Sequence, residues 1–280
     1  MKIIKTIKQV RQVLGLQRKR GQQIGLVPTM GALHEGHLSL IRLARKHSDF
    51  VVVSIFVNPT QFGPKEDYKK YPRDLKKDAA LCQTAGADLI FVPDVKEVYP
   101  EGFSTYVNVE GLTKGLCGAS RPGHFRGVAT VVSKLFNIVQ PDVAVFGQKD
   151  AQQLAVIRRM TADLDLPVKI IGGPIVRERD GLAMSSRNAY LTMEERAEAV
   201  TLSRALKLAE GMVKSGKRKA EIVKREIAKL LRRDAPLGEI DYIEIVDNET
   251  LKPVKQIQKN TLIALAVKFP SARLIDNIIV

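Results

Sequence analysis

Two histidines three positions apart are the side chains in this sequence best suited to catalysis. His34 and His37 flank Glu35 and Gly36, between an apolar run at residues 24–27 and apolar positions at helical spacing from residue 40 to 44. The spacing predicts a strand, a turn that carries the histidines, and a helix. Free backbone N–H groups and the helix dipole favour an anion at such a turn, and imidazole donors stabilise phosphate oxygens that gain charge as a bond breaks. The segment therefore predicts phosphate chemistry.

A zinc site or two incidental surface histidines are the alternatives for this segment. Zinc takes three or four ligands, and the remaining histidines, His47 and His124, show no ligand spacing. Gly31 and Gly36 instead allow the backbone to approach a ligand closely. Phosphate chemistry is the better interpretation.

Polar side chains also follow the next apolar run and precede a helical pattern. Asn58 and Gln61 carry amides that can donate and accept hydrogen bonds, which suits a substrate with both a hydroxyl and a carboxylate. A loop with capping amides explains them equally well. Arg121, His124 and Arg126 form either a cationic site or simply a basic loop.

Two later segments offer further cations. In Gly147-Gln-Lys-Asp150, Lys149 can neutralise a phosphate or carboxylate, and Asp150 can cap a helix, bind a ribose or hold a metal. Capping is the best single interpretation of an isolated aspartate. Met184-Ser-Ser-Arg187 supplies two hydroxyls and a guanidinium that could close over a triphosphate. Losing one such donor typically costs about 3 kcal/mol, or roughly 100-fold in rate.

Alternating strand and helix patterns must position these groups. Apolar runs occur at residues 24–27, 50–57, 88–92, 143–146 and 168–171. The clearest helical pattern lies at residues 128–139 and is closed by Pro141. Continuous apolar strands separated by helices predict an α/β fold, with a parallel sheet covered on both faces. Ligands bind at the carboxyl ends of such strands, where His34 and Lys149 both fall.

The pattern changes after Gly172-Gly173-Pro174, so we expect a second domain at residues 175–280. Thr192 and Glu195 have the spacing of a capping box, which predicts a helix that continues to about residue 213. A basic amphipathic helix around residues 223–231 and strand-like runs at 240–246, at 262–269 and at the C-terminus follow. This order predicts a small α+β domain.

Composition limits the classes of function. The 280 residues carry a net charge of +15, which raises the question of nucleic acid, but no aromatic residues interleave the basic runs as a stacking platform requires. We therefore expect no nucleic-acid partner, and the positive field would instead attract ATP and small carboxylates. No apolar run approaches the roughly 18 residues that span a bilayer, so no membrane association is expected. Cys82 and Cys117 lack metal or redox spacing, and a reducing cytoplasm is the simplest inference.

The pairing of His34-x-Gly-His37 with a downstream Ser and Arg segment resembles the nucleotidyltransferase superfamily. An ordered set of motifs resembles the pantothenate synthetase family more closely: Val27-Pro-Thr-Met-Gly-Ala-Leu-His-Glu-Gly-His37, Phe56-Val-Asn-Pro-Thr-Gln-Phe-Gly63, Tyr71-Pro-Arg73, Arg121-Pro-Gly-His-Phe-Arg-Gly127, Gly147-Gln-Lys-Asp-Ala-Gln-Gln153, Asp180-Gly-Leu-Ala-Met-Ser-Ser-Arg-Asn188 and Arg273-Leu-Ile-Asp-Asn277. Lys65 and Phe269-Pro-Ser271 depart from the usual pattern, and this bears on local loop shape and subunit contacts.

The resemblance implies a two-step reaction with Mg²⁺. ATP and (R)-pantoate would give pantoyl adenylate and pyrophosphate, and β-alanine would then attack the adenylate to release pantothenate and AMP. The resemblance also implies a cytoplasmic homodimer. Each chain would have a Rossmann-like nucleotide- and pantoate-binding domain at residues 1–174 and a smaller C-terminal lid at residues 175–280.

The motif match also implies roles for particular residues. His37 matches the position of a proton donor, and the catalytic set would further include His34, Lys149, Ser185, Ser186 and Arg187. ATP would contact Met30, Gly31, Ala32, Leu33, His34, Glu35, Gly36, His37, Gly147, Gln148, Lys149, Asp150, Val176, Met184, Ser185, Ser186 and Arg187. The substrate-binding set would be Gln61, Gln153, Asn58, His124 and Arg121, and Gln61 would lie near both pantoate and β-alanine. No residue is assigned to the metal.

Two other functions are the alternatives. A different nucleotidyltransferase would adenylate another acid or make a dinucleotide, although the paired glutamines argue against it. A non-catalytic RNA-binding protein would use the basic helix, and its binding would weaken steeply with salt.

Overall fold

Six parallel strands form the main sheet of the computed structural model, which describes residues 1–64 and 66–280. The strands are β1 (Lys2–Ile4), β2 (Ile24–Thr29), β3 (Phe50–Ile55), β4 (Leu89–Phe91), β5 (Val143–Gly147) and β6 (Lys169–Gly173). Every neighbouring pair in this sheet is parallel. β2 and β3 are buried along almost their whole length, because both faces of a parallel sheet are covered. The predicted parallel sheet is confirmed.

Strand boundaries differ from the sequence pattern at a few points. The strand predicted for the apolar run 50–57 ends at Ile55, because Phe56 and Val57 already belong to the connection that follows. β1 was not expected, because its three residues begin with a lysine and form no detectable apolar run.

The order of the strands, β1-β4-β3-β2-β5-β6, changes direction beside β2. The chain leaves β2 toward β3 on one side and later places β5 on the other, where Leu26 lies opposite Ala144. In sheets of this kind a crevice opens between the carboxyl ends of the strands at such a switch point. The segments after β2 and β5 therefore start next to each other.

Among the described residues, seven α-helices lie between and beside these strands: α1 (Ile7–Lys19), α2 (Glu35–Arg45), α3 (Leu75–Ala85), α4 (Val95–Val98), α5 (Cys117–Ser120), α6 (His124–Val139) and α7 (Ala151–Asp163). The pattern at residues 128–139 belongs to α6, which begins earlier, at His124, and ends as predicted before Pro141. α2 buries Ile41 and Ala44 completely in the core that contains the sheet residues of β2 and β3. Fully burying a side chain of the size of Ile41 stabilises the folded state by about 1.5–3 kcal/mol.

Two compact units make up the described chain. Residues 1–148 with 156–174 form the first, and residues 149–155 with 175–280 form the second. The second unit contains α8 (Met193–Ala199), α9 (Thr201–Lys214), α10 (Ala220–Asp234) and an antiparallel sheet of β7 (Glu239–Asp247), β8 (Thr261–Lys268) and β9 (Arg273–Ile279). This is the α+β arrangement that the sequence predicted.

The first helix of the second unit is shorter than expected. The capping box is present, because Glu195 Oε2 accepts from Thr192 N at 2.8 Å and Thr192 Oγ1 accepts from Glu195 N at 3.2 Å. The helix that it opens ends at Ala199, however, and α9 begins at Thr201. Val200, between the two helices, keeps φ and ψ angles of −60° and −24°, and its carbonyl accepts from Arg204 N at 3.3 Å. The expectation of one continuous helix is wrong, because the chain is divided into two helices at this residue.

Two positions singled out in the sequence have different outcomes. Phe269-Pro-Ser271 forms the turn between β8 and β9, where Phe269 is buried and Ser271 N donates to Glu195 Oε1 at 2.9 Å. This turn is thus tied to the start of α8. Lys65 lies outside the described residues. None of the helices in the described part of the chain combines the length and the apolar character needed to cross a bilayer.

Candidate active site

The turn between β2 and α2 brings the two histidines together. His34 is the N-cap of α2, and its Nδ1 accepts from Gly36 N at 3.2 Å. His37 Nδ1 accepts in the same way from His34 N at 3.3 Å, and the ring centroids are 4.1 Å apart. A neutral imidazole carries its proton on the nitrogen that does not accept. Both rings are therefore held as Nε2–H donors without needing a positive charge.

The backbone of this turn differs from the sequence-based expectation. Gly31 N donates to Thr29 Oγ1 at 3.3 Å, and the N–H groups of Ala32 and Leu33 donate to the carboxylate of Asp78 at 3.0 and 2.8 Å. The expectation of free N–H groups is therefore wrong for these three residues. Anion recognition at this turn, which stays a prediction, would therefore depend on the imidazoles and the helix dipole.

A second group of polar side chains surrounds the turn after β3. Asn58 Nδ2 donates to Gln61 Oε1 and to the Gly127 carbonyl, both at 3.1 Å. Asn58 Oδ1 accepts from Thr60 N and caps the short 3-10 helix Pro59–Gln61. The capping interpretation of Asn58 is thus observed directly. Gln61 Nε2 approaches Met30 Sδ at 3.0 Å, which joins the Gln61 turn to the loop before the histidines.

Arg121 and His124 contact the same turn. Arg121 forms a bidentate ion pair with Glu66, at 2.6 and 2.7 Å. Arg121 Nη1 lies 3.0 Å from His124 Nε2. Since a guanidinium only donates, Nε2 accepts and His124 Nδ1–H donates to the Gln61 carbonyl at 2.8 Å. Arg121 and His124 therefore pack beside Gln61, and a cationic substrate site at this loop stays a prediction.

Glu66 was not singled out in the sequence, and its electrostatics follow from this contact. Burial favours the neutral acid, but the hydrogen bonds and charge of Arg121, with the N–H of Gly63, outweigh that effect and lower the pKa of Glu66. The residue is therefore a carboxylate at neutral pH and compensates the charge of Arg121. Its position inside a loop of mixed charges gave no signal at the level of the sequence.

Gly127 was part of a matched motif, but its packing role was missed. It lies inside α6, and a Cβ there would stand 2.3 Å from the Thr60 carbonyl oxygen and 2.7 Å from Gln61 Cα. A glycine in a helix interior costs stability, so its presence signals a close approach. Here the Gln61 turn packs closely against α6 at Gly127.

The segment after β5 belongs partly to each unit. Gly147 ends β5, and the 3-10 helix Gln148–Asp150 leads into α7, whose first turn carries Gln153. Within the second unit, Asn277 Nδ2 of β9 donates to the Lys149 carbonyl at 2.9 Å. The motif at the C-terminus of the chain is therefore connected to the main chain of Lys149.

The Ser-Ser-Arg segment is ordered by bonds within the second unit. Met184 N donates to the Val176 carbonyl at 3.0 Å, which brings these two predicted ATP contacts together. Ser185 Oγ accepts from Arg187 N at 3.2 Å and caps the 3-10 helix Ser186–Tyr190. Asn188 Nδ2 donates to the Ala183 carbonyl at 3.1 Å. The loop is thus a structured turn that presents consecutive hydroxyl and guanidinium groups.

Metal and thiol chemistry receive no support from the arrangement. Within residues 1–64 and 66–280, no group of three or more His, Cys, Asp or Glu side chains gathers as a metal site, so the zinc alternative for the histidine pair has no ligand set. Cys82 and Cys117 are buried. Burial, with the nearby charge of Asp78, raises the pKa of the Cys82 thiol to about 12, which keeps it protonated and unreactive.

Comparisons with known proteins show which family the chain is similar to. The family model described as "Pantoate-beta-alanine ligase" matches residues 2–279. The chain is 56% identical over 280 residues to a pantothenate synthetase of Acetivibrio thermocellus, covering 100% of this chain and 99% of the relative. It is 58% identical over 279 residues to one of Moorella thermoacetica, covering 100% and 98%.

Solved structures show the same likeness. The structure of pantothenate synthetase from Thermus thermophilus has 51% identity and a TM-score of 0.94, with 99% of each chain covered. That of pantoate-β-alanine ligase from Francisella tularensis, complexed with β,γ ATP and β-alanine, has 35% identity and a TM-score of 0.83, covering 100% of this chain and 97% of the other.

Proposed function

The chain belongs to the pantoate-β-alanine ligase family, and we propose that it joins (R)-pantoate to β-alanine through a pantoyl adenylate made from ATP. The observation that carries the proposal is the contact of Gln61 with Met30, because it places a candidate acid-binding amide against the loop that leads to His34 and His37. The F. tularensis relative was solved with an ATP analogue and β-alanine, and the same ligand classes are proposed for this chain.

In the proposed first step, a pantoate carboxylate oxygen attacks the α-phosphorus of ATP and pyrophosphate leaves. Two anions must approach each other, so the barrier is electrostatic and positional. The Nε2–H groups of His34 and His37 would donate to phosphate oxygens, with His37 as the proton donor. In the second step, the β-alanine amine attacks the acyl carbon and AMP leaves, and the amine proton passes to solvent or a nearby base.

The acid would bind at the turn after β3. Gln61 and Gln153 would contact pantoate, and Gln61 would also lie near β-alanine. Asn58 supports this site by fixing the position of Gln61, to which it donates. Arg121 and His124 would line this substrate site, with Glu66 fixing the guanidinium of Arg121 and the Nδ1–H of His124 donating to the Gln61 carbonyl.

The proposed ATP contacts come from the matched motifs and from Val176. Met30–His37 would line the ATP site, with His34 and His37 at the phosphates. Gly147–Asp150 would also contact ATP, with Lys149 at a phosphate and Asp150 at the ribose, and Val176 would contact the adenine. Met184–Arg187 would close on the triphosphate. Residues 1–174 would thus act as the binding domain and residues 175–280 as a lid. A lid is useful because water would hydrolyse the adenylate.

Magnesium would accompany the nucleotide rather than occupy a protein cage. The described residues contain no cluster of three acidic or histidine side chains for it, and magnesium often binds through substrate phosphates with one or two carboxylates. It would neutralise phosphate charge, and no residue of the chain is assigned to it. We also propose a cytoplasmic homodimer, which rests on the family resemblance and which analytical ultracentrifugation would test.

Pyrophosphate release from ATP, measured with pantoate and Mg²⁺ in the presence and absence of β-alanine, tests the proposal. Pantoate-dependent release, with pantothenate and AMP formed only when β-alanine is added, is the expected result. Release with another acid and none with pantoate would assign the chain to a different adenylating activity. A folded protein that releases no pyrophosphate with any acid would contradict the proposal altogether.

A further inference from the structure

Four consecutive backbone N–H groups between β2 and α2 have defined acceptors. Those of Gly31 and His34 bond within the same segment, to Thr29 Oγ1 and to His37 Nδ1, both at 3.3 Å. The two in the middle bond elsewhere: Ala32 N reaches Asp78 Oδ2 at 3.0 Å, and Leu33 N reaches Asp78 Oδ1 at 2.8 Å. A single carboxylate on α3 therefore anchors the centre of the turn.

The conformation of this turn needs such an anchor. Gly31 and Ala32 have φ angles of 85° and 50°, in the left-handed region that is unfavourable for a non-glycine residue such as Ala32. A Cβ on Gly31 would stand 2.9 Å from Asp78 Oδ2, so the carboxylate packs directly against the turn. Hydrogen bonds to the Asp78 carboxylate, on α3, hold this strained segment in place.

We propose that Asp78 is a positioning residue of the reaction, which fixes the turn at Gly31–Leu33 and thereby the direction in which His34 and His37 enter α2. The inference rests on the function proposed above. Asp78 does not contact the reacting atoms in this role. It acts by fixing the backbone conformation just before the two imidazole donors. This matters because a displacement of a donor by about 1 Å can lower the rate on the order of 100-fold.

The chemistry of the side chain supports this role. Asp78 is only 2% exposed, and carboxylates are rarely buried unless their oxygens are paired. Burial raises the pKa of Asp78, and the two backbone N–H bonds act in the opposite direction. If this position served only to pack α3 against the core, an apolar residue would do so without burying a polar group.

Asp78→Asn is the direct test, because it preserves shape but offers only one acceptor atom. Whichever way the amide turns, its NH₂ group meets one of the two backbone N–H groups. The expected loss in pantoate-dependent pyrophosphate release is roughly 10- to 100-fold, as for one charge-assisted hydrogen bond. The reaction of supplied pantoyl adenylate with β-alanine should fall much less, because pyrophosphate has already left.

Asp74→Asn is the matched control. Asp74 caps the same helix and accepts from Lys77 N at 3.0 Å, and asparagine caps helices equally well. Asp74→Asn therefore removes a carboxylate one turn away without touching the Gly31–Leu33 turn. This variant should catalyse the first half-reaction at the wild-type rate. If Asp78→Asn behaves like Asp74→Asn, or slows both half-reactions by the same factor, the positioning role is refuted.

Amide hydrogen exchange of the wild-type protein gives a second test that needs neither a variant nor turnover. The amides of Ala32 and Leu33 should exchange slowly although they lie outside any helix or strand, and rapid exchange would overturn the proposal even if Asp78→Asn failed to fold. A wild-type enzyme without pyrophosphate release would instead refute the proposed function. The two failures are thus distinguishable.

Discussion

Replacing Gly127 by alanine should reverse the usual effect of that substitution in a helix. Gly127 lies in α6, and alanine normally stabilises a helix interior by up to about 1 kcal/mol relative to glycine. The new methyl would stand 2.3 Å from the Thr60 carbonyl oxygen and 2.5 Å from its carbon. Both atoms belong to the main chain, so rotation of a side chain cannot relieve the clash.

The size of the effect follows from these distances. Carbon–oxygen contacts need about 3.5 Å, so the turn Pro59–Gln61 must retreat by about 1 Å. Overpacking of this kind typically costs about 1–3 kcal/mol, which at least offsets the gain in helix propensity. The retreat would also break the bond from Asn58 Nδ2 to the Gly127 carbonyl and withdraw Gln61 from Met30.

Steady-state kinetics and thermal unfolding together test this reasoning. We expect kcat/KM for pantoate to fall by roughly 10- to 100-fold, because a misplacement of about 1 Å has effects of that size, while the KM for ATP changes little. Gly15→Ala is the control, since Gly15 lies in α1 with no atom within 4 Å of the added Cβ. It should raise Tm and leave activity unchanged. If Gly127→Ala gives the same result as this control, the argument is wrong.

Three further predictions concern single side chains. His37→Ala should abolish pantoate-dependent pyrophosphate release with little change in Tm, and near-normal turnover would refute the role of His37. Glu66→Gln should lower Tm at neutral pH. Because the folded-state pKa of Glu66 lies below its ordinary value, the stability that its pair with Arg121 contributes is present above the ordinary value and is lost as pH falls through the folded value. The difference in Tm should therefore vanish in acid, and a constant difference would contradict the assignment. Arg177→Ala should lower the free energy of unfolding of the second unit by about 3 kcal/mol, because it leaves the carboxylate of Asp276, 1% exposed, without its bidentate partner. A calorimetric loss of well under 1 kcal/mol, the size typical of an exposed ion pair, would refute this.

Local patterns predicted most of the fold because they report which side chains are buried. The apolar runs became five of the six parallel strands, and the periodic pattern at residues 128–139 became most of α6. The exact bounds of the helices were less predictable. The capping box at Thr192 was predicted correctly, but the single helix expected after it is divided at Val200 into α8 and α9.

The candidate site was less predictable than the elements that carry it. The spacing of His34 and His37 indicated the turn, yet it also suggested free N–H groups that Thr29 and Asp78 in fact occupy. Glu66 gave no sequence signal, because a carboxylate in a polar loop is ordinarily solvated. Its pairing with Arg121 depends on two loops that meet in space.

The order of residues along the chain was enough to predict the periods of burial, the place of the histidine pair at a strand-to-helix turn, and the resemblance that proved to be family membership. These are properties of neighbours along the chain, and backbone geometry translates them directly into strands and helices. Packing in three dimensions was needed to show that Asp78 anchors the turn 45 residues before it, that Gly127 makes room for the Gln61 turn, and that Asn277 bonds the main chain of Lys149. Such contacts are set by which elements pack against each other. A hydrogen bond or a steric limit acts over a few ångströms of space, whatever the separation along the chain.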